Sequence, residues 1–256
     1  GSQNGDMQRD YAYTVDRQAP LLQSAVSIGT DAAKATVERL GARKINTAQV
    51  PILLHKDIAS SLFGHYVGAI SGGSLYRRSS FLLDSLGKQI FPEWLNIEER
   101  PFIKSGLASS SFDNEGVACK DMTIVEGGKL STYLYTTYSA RKLNTQTNGH
   151  AGGIHNWLVG DTGHSDSDLL KEMGTGLYVT ELMGQGVNTV TGDYSRGAAG
   201  FWVENGVIQY PVHEVTIAGC LQDMFAGIVA IGKDKDLRGS VHTGSILINQ
   251  MKIAGS

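Results

Sequence analysis

The strongest constraint on this chain is a change of period along it. Up to Ile70 the apolar residues recur at three and four positions, whereas from Met122 onward they alternate in twos between glycine-containing turns. A three-to-four spacing makes one stripe on a helix, and an alternation makes one face of a strand, so helices come first and hairpins dominate afterwards. Glycine reinforces the second half of that reading: it supplies 32 of 256 residues, against about 7% in ordinary proteins, so many positions must be tight turns or close approaches.

Over 16–40, Leu21, Leu22, Ala25, Val26, Ile28, Ala32, Ala33, Val37 and Leu40 fall on one stripe, predicting an amphipathic helix that Gly41 stops. After Pro51 and the apolar stretch 50–54, Asp57 is placed to cap a second helix. Ile58, Leu62, Tyr66, Val67 and Ile70 share a face of it, and Ser71-Gly72-Gly73 ends it. Segments 122–125 and 130–134 flank Gly127-Gly128, and 201–203 and 207–210 flank Asn205-Gly206, both pairs suiting type I′ hairpin turns. Short helices are expected at 167–173 and 221–231. The order predicts an α+β protein with glycine-rich, mostly antiparallel sheets and a few packed helices.

Charge and composition exclude several function classes. Lys and Arg total 22 against 25 acidic residues, a net charge of −3, so no positive field gathers nucleic acid or an anionic membrane. No apolar run approaches the ~20 residues of a membrane span. Cys119 and Cys220 allow one disulfide at most, and a chain this long needs no staple, which points to a reducing cytoplasm.

Candidate chemistry is scattered. The histidines group as His55 with His65, His150 with His155, and His164 near Asp166, and none of these groups shows the three or four converging donors that zinc requires. The loop holding His150 and His155 is glycine-rich, and its plain reading is a tight crossing whose histidines cap backbone groups. The glycine-rich stretch 174–200 reads as long loops and turns, with Glu181, Asp193, Tyr194 and Arg196 bordering them. Ser139 and Lys142 fit a Ser-x-x-Lys nucleophile pattern, but the strand-like 133–138 before them leaves no helix for the serine to open.

Seven segments in one order carry a resemblance: 62–73 (LFGHYVGAISGG), 80–90 (SFLLDSLGKQI), 149–157 (GHAGGIHNW), 172–176 (EMGTG), 181–186 (ELMGQG), 191–197 (TGDYSRG) and 200–206 (GFWVENG). With them the chain resembles the TldD/PmbA family, on its PmbA (TldE) branch, from about Tyr11 to Gly255. The resemblance covers the family's C-terminal domain, without the N-terminal α+β domain. Gly1-Ser2 reads as a scar within a disordered lead-in over 1–10, followed by a helical linker or entry helix over 11–45 and the C-terminal domain over 46–256.

What the resemblance implies is a bacterial cytoplasmic peptidase complex. A TldD subunit pairs with a PmbA subunit and cleaves unfolded or extended peptides, in peptide-antibiotic maturation and antitoxin degradation. In the TldD branch a helix carries His-Glu-x-x-x-His, with two zinc ligands and a glutamate that activates water, and a later cysteine adds a ligand. On this chain the second histidine matches His65, the first falls at Ser60, the glutamate at Ser61 and the cysteine near Thr243. Hydroxyls replace neither ligand nor base. The expectation is therefore a non-catalytic subunit with no metal of its own, zinc residing in the TldD partner. His65, His150, His155, Asn156, Glu181 and Arg196 would line the peptide groove, and the isolated chain would be free to form a homodimer. Two alternatives stand beside it: a self-sufficient metallohydrolase using His65, His150 and His155, and a non-enzymatic modulator of DNA gyrase.

Overall fold

A computed structural model describes residues 1–255. Two sheets share one core. The larger has six strands in the order β10 (Val207–Cys220), β9 (Asp193–Glu204), β8 (Gly176–Met183), β3 (Ala48–Leu54), β13 (Ile246–Ala254) and β11 (Ile228–Ile231). Only the β3–β8 pairing within it is parallel. β10 also pairs with β13, Thr216 opposite Ala254, which closes five of the strands into a ring. A bulge makes that possible. The register of β10 against β9 shifts between Val212 and Val215, where Glu214 has a positive φ of 53°, and the extra residue bends a 14-residue strand so that its two ends meet different neighbours.

The smaller sheet runs β12 (Val241–His242), β7 (Trp157–Val159), β4 (Ile97–Glu99), β5 (Met122–Glu126) and β6 (Lys129–Leu130), antiparallel except for β12 with β7. Helix α2 (Lys56–Ala69) joins the two sheets, because its Leu62, Phe63 and Tyr66 are buried on a face that both sheets cover. The Tyr66 ring lies 4.9 Å from Phe91, 5.6 Å from Phe225 on α6 (Leu221–Ala226) and 6.0 Å from Trp157 on β7. Such aromatic contacts add to the burial of large apolar area, so α2 is anchored to both sheets. The expected α+β class with mostly antiparallel sheets is the observed one, and both glycine-turn hairpins form as β5–β6 and β9–β10.

Several expectations change in detail. The first helix, α1, spans Ala25–Glu38 rather than 16–40: Pro20 sits in a 3₁₀ turn at Ala19–Leu21, and the Ser24 hydroxyl accepts the Ser27 N–H to start the helix. None of its residues is buried, and Val26 is 79% exposed. His55, not Asp57, caps α2, with Asp57 in the first turn near the positive end of the helix dipole. The helix expected over 221–231 stops at Ala226, and the rest becomes β11. The stretch 174–200 is largely the strands β8 and β9. Gly200 serves a close approach there, since a Cβ would come within 1.9 Å of the Tyr178 carbonyl. The lead-in, expected to be disordered, pairs as β1 (Ser2–Gln3) with β2 (Asp6–Met7), and Asp6 accepts the Gly41 N–H at 2.7 Å. Ser139 does lie on a helix, α4 (Thr137–Lys142), but its hydroxyl is spent in a capping box with Thr136.

No helix is long and apolar enough to cross a membrane among the described residues.

Candidate functional site

Helix α2 and strand β9 set out the region where the resemblance places a metal site. Ser60 and Ser61 are half-buried one turn before His65 on α2. The Ser61 hydroxyl donates back to the Ile58 carbonyl at 2.6 Å, so it is occupied within its own helix. Tyr194 and Arg196 stand two residues apart on β9 and so share a face. Tyr194 meets the His65 ring edge-on at 5.9 Å. Burial, with the Arg196 charge adding to it, pushes the His65 imidazole below its ordinary range. A guanidinium that disfavours a proton on His65 disfavours a divalent cation there for the same reason. Among the described residues no Cys, Asp, Glu or second His joins His65 in a group of three donors. Thr243, at the position expected for the cysteine, is fully buried beside β12. The residues present do not fit a catalytic zinc.

The other candidates separate. Glu181 on β8 pairs with Arg39 at the end of α1 and lies 3.8 Å from Arg9, lining a cavity of about 410 Å³. A second groove, of about 560 Å³, opens between α1, the Asp10–Tyr11 segment and strands β8 to β10, with His55, Asp57 and Tyr178 in its wall. His65 and Arg196 line neither of them. Asn156 is not in a groove: it is fully buried, its side chain accepting the Ala108 N–H and donating to the Arg100 carbonyl and the Ser109 hydroxyl.

His150 and His155 are inside the protein too, and they converge on a residue the sequence reading passed over. Glu99 ends β4 directly opposite Trp157 of β7. Its Oε2 accepts the Trp157 Nε1–H at 2.7 Å, while its Oε1 lies 3.2 Å from His155 Nδ1 and 3.0 Å from His150 Nε2. Burial works to raise this carboxyl, but His150, the Trp157 N–H and His155 outweigh it and hold Glu99 below the usual range. The loop that delivers the histidines turns through Gly149, Gly152 and Gly153, all at positive φ, and a Cβ on Gly152 would run into the Asn114 side chain. The glycines do make a tight crossing, as expected, but the imidazoles face a carboxylate instead of capping backbone. The His65, His150 and His155 trio of the metallohydrolase alternative does not assemble.

Comparison with known proteins agrees with this architecture. The model of the PmbA/TldA metallopeptidase C-terminal domain matches residues 47–255. The metalloprotease PmbA of Escherichia coli O157:H7 is 57% identical over 253 residues, covering 99% of this chain and 56% of the relative. The chain belongs to the PmbA/TldD metallopeptidase family. A PmbA homologue from Haemophilus influenzae is 55% identical over 98% of this chain and 56% of its own length. The chain thus spans little more than half the length of the curated relatives it matches. Among solved structures, a Bacteroides thetaiotaomicron protein described as a candidate modulator of DNA gyrase superposes with a TM-score of 0.89 at 27% identity, covering 94% of this chain and 55% of the other. TldE from Thermococcus kodakarensis shares the fold, with a TM-score of 0.79 at 22% identity over 90% of this chain and 55% of that one.

Proposed function

We propose that this chain is part of the non-catalytic PmbA subunit of a cytoplasmic PmbA/TldD-type metallopeptidase, which shapes the chamber and interface around a zinc ion held by a TldD-type partner. Unfolded or extended peptides are the substrate class, as in peptide-antibiotic maturation or antitoxin degradation. The observation that carries this reading is the chemistry around His65. Two serines stand where a ligand and a general base are needed, and Arg196 places a fixed positive charge beside the remaining imidazole. Family membership supports the peptidase setting, and the retained α2 core supports an intact scaffold.

Closure of the larger sheet narrows how a peptide docks. Addition to a strand edge needs unpaired backbone, which β11, β6, β12 and the 207–210 stretch of β10 offer on their outer sides. The Thr162 N–H and hydroxyl already donate to the Ile231 carbonyl on β11. The 560 Å³ groove beside α1 borders the open stretch of β10 at Ile208, Gln209 and Tyr210, and is the better path for an extended chain.

The test mixes the full-length protein with its TldD-type partner and an unfolded peptide. Cleavage is expected to rise on the order of tenfold or more over the partner alone, an effect worth about 1.4 kcal/mol of barrier. An unchanged rate sinks the proposal.

A further inference from the structure

We propose that Glu99, His150 and His155 form a buried binding site for a zinc-type divalent ion, separate from α2 and structural in role. The proposal does not rest on the function proposed above, since it concerns the chain without partner or peptide.

Three observations carry it. The donor atoms of these residues all lie within 4.8 Å of one another, and no other group of three or more His, Cys, Asp or Glu does so among the described residues. Zinc with bonds of about 2.0–2.2 Å in tetrahedral geometry sets neighbouring donors ~3.3 Å apart. The separations of 3.0 Å and 3.2 Å from Glu99 Oε1 to the two imidazoles sit close to that edge.

Second, the tautomer of His150 is dictated from outside. The Asn148 side chain accepts the Tyr135 N–H at 2.7 Å and donates to the Tyr133 carbonyl at 2.8 Å, which fixes which end of the amide is oxygen. That oxygen lies 2.9 Å from His150 Nδ1, so Nδ1 carries the proton. The other nitrogen, Nε2, is the one turned toward Glu99. The His150 side chain is 2% exposed, and Nε2 makes no hydrogen bond although Glu99 is 3.0 Å away. Two lone pairs held this close in the interior repel unless a proton or a metal ion lies between them, and the three converging donors offer that place to a metal ion. An outer acceptor on one imidazole nitrogen, freeing the other, is also how metal-ligating histidines are oriented.

Third, the opposite nitrogen of His155 faces Cys119 Sγ at 3.5 Å. With Nδ1 on the ion, the ring proton sits on Nε2 and points at the sulfur, so Cys119, outside the group of converging donors, orients a ligand. Two imidazoles and one carboxylate suit zinc far better than magnesium or calcium, which prefer oxygen throughout. Such an ion would lock the 149–156 loop to the end of β4.

The test strips the full-length protein with chelator, reloads it with zinc, desalts it and counts metal. One equivalent per chain is expected, retained in His65→Gln and lost in Glu99→Gln, with affinity falling more than about 100-fold, beyond what loss of an outer partner costs. Glu99→Gln keeps the size of the side chain and an acceptor for Trp157, and circular dichroism checks its fold. Cobalt loading of the unmutated protein reads the donors without any variant, and the visible absorption of a four- or five-coordinate ion is expected. Substoichiometric zinc in the unmutated protein, equal zinc in folded Glu99→Gln, or a cobalt spectrum matching the aqueous ion overturns the proposal.

Discussion

Two places in this molecule gather imidazole, and they differ in everything except that. On α2, His65 is flanked by hydroxyls and a guanidinium. Between β4 and β7, His150 and His155 close on a carboxylate whose other oxygen is held by an indole N–H. A histidine does not make a metal site; its neighbours decide. The α2 position repels a cation although the resemblance points there, and the interior position attracts one although the sequence reading assigns its histidines to a groove.

The largest effect expected from that contrast is on stability. Glu99→Ala removes the acceptor of Trp157 and the counter-group of two buried imidazoles, which costs about 3–5 kcal/mol in urea unfolding. Ser60→Ala on α2 shifts stability by no more than about 0.5 kcal/mol. Similar costs for the two changes would erase the distinction. A sharper comparison grafts the missing groups onto α2. Ser60→His with Ser61→Glu supplies donors, yet zinc is expected to bind at least about tenfold more weakly there than when Arg196→Gln is added, because a fixed positive charge close to the site opposes the ion. Equal affinities would show that Arg196 does not matter.

The smallest effect is on protonation. The folded-state pKa of His65 lies below its ordinary 6.5 through burial and then Arg196. As pH falls, the unfolded chain binds this proton first, so the contribution of His65 to stability is complete above pH 6.5 and is lost as pH drops from there toward the depressed folded value. In an NMR titration Arg196→Gln is expected to move His65 upward while burial keeps it below 6.5. An unmoved titration would remove the guanidinium from the account.

Much of the fold was legible because its signals are local. Asn205-Gly206 and Gly127-Gly128 adopt the positive φ angles that their hairpins demand, and Gly174 ends α5 (Asp166–Met173) where the helical pattern stops. The closing of the ring was not legible, since the β10–β13 pairing joins residues whose meeting depends on a bulge at Glu214 that no turn residue announces. The two long helices show the same limit. Each has 14 residues and an apolar stripe, but α2 is the centre of the core and no residue of α1 is fully buried, because period reports a helix and not what covers it.

The candidate sites divide in the same way. The hydroxyls at Ser60 and Ser61 were readable directly from motif spacing. The pairing of His150 with His155 was readable from a glycine loop. Glu99 was hidden, because Glu98-Glu99-Arg100 looks like a solvated charge run. Its one signal is phase: Ile97 is fully buried on the same face of β4, whereas Glu98 points outward and pairs with Arg100. Cys119 likewise gave no sign that its sulfur would meet His155.

The measurement that bears most directly on the central claim incubates the full-length subunit alone, loaded with zinc, with an unfolded peptide, with and without chelator. The account predicts no hydrolysis above background in either case, even with zinc in the interior. Chelator-sensitive cleavage by the lone subunit would contradict it.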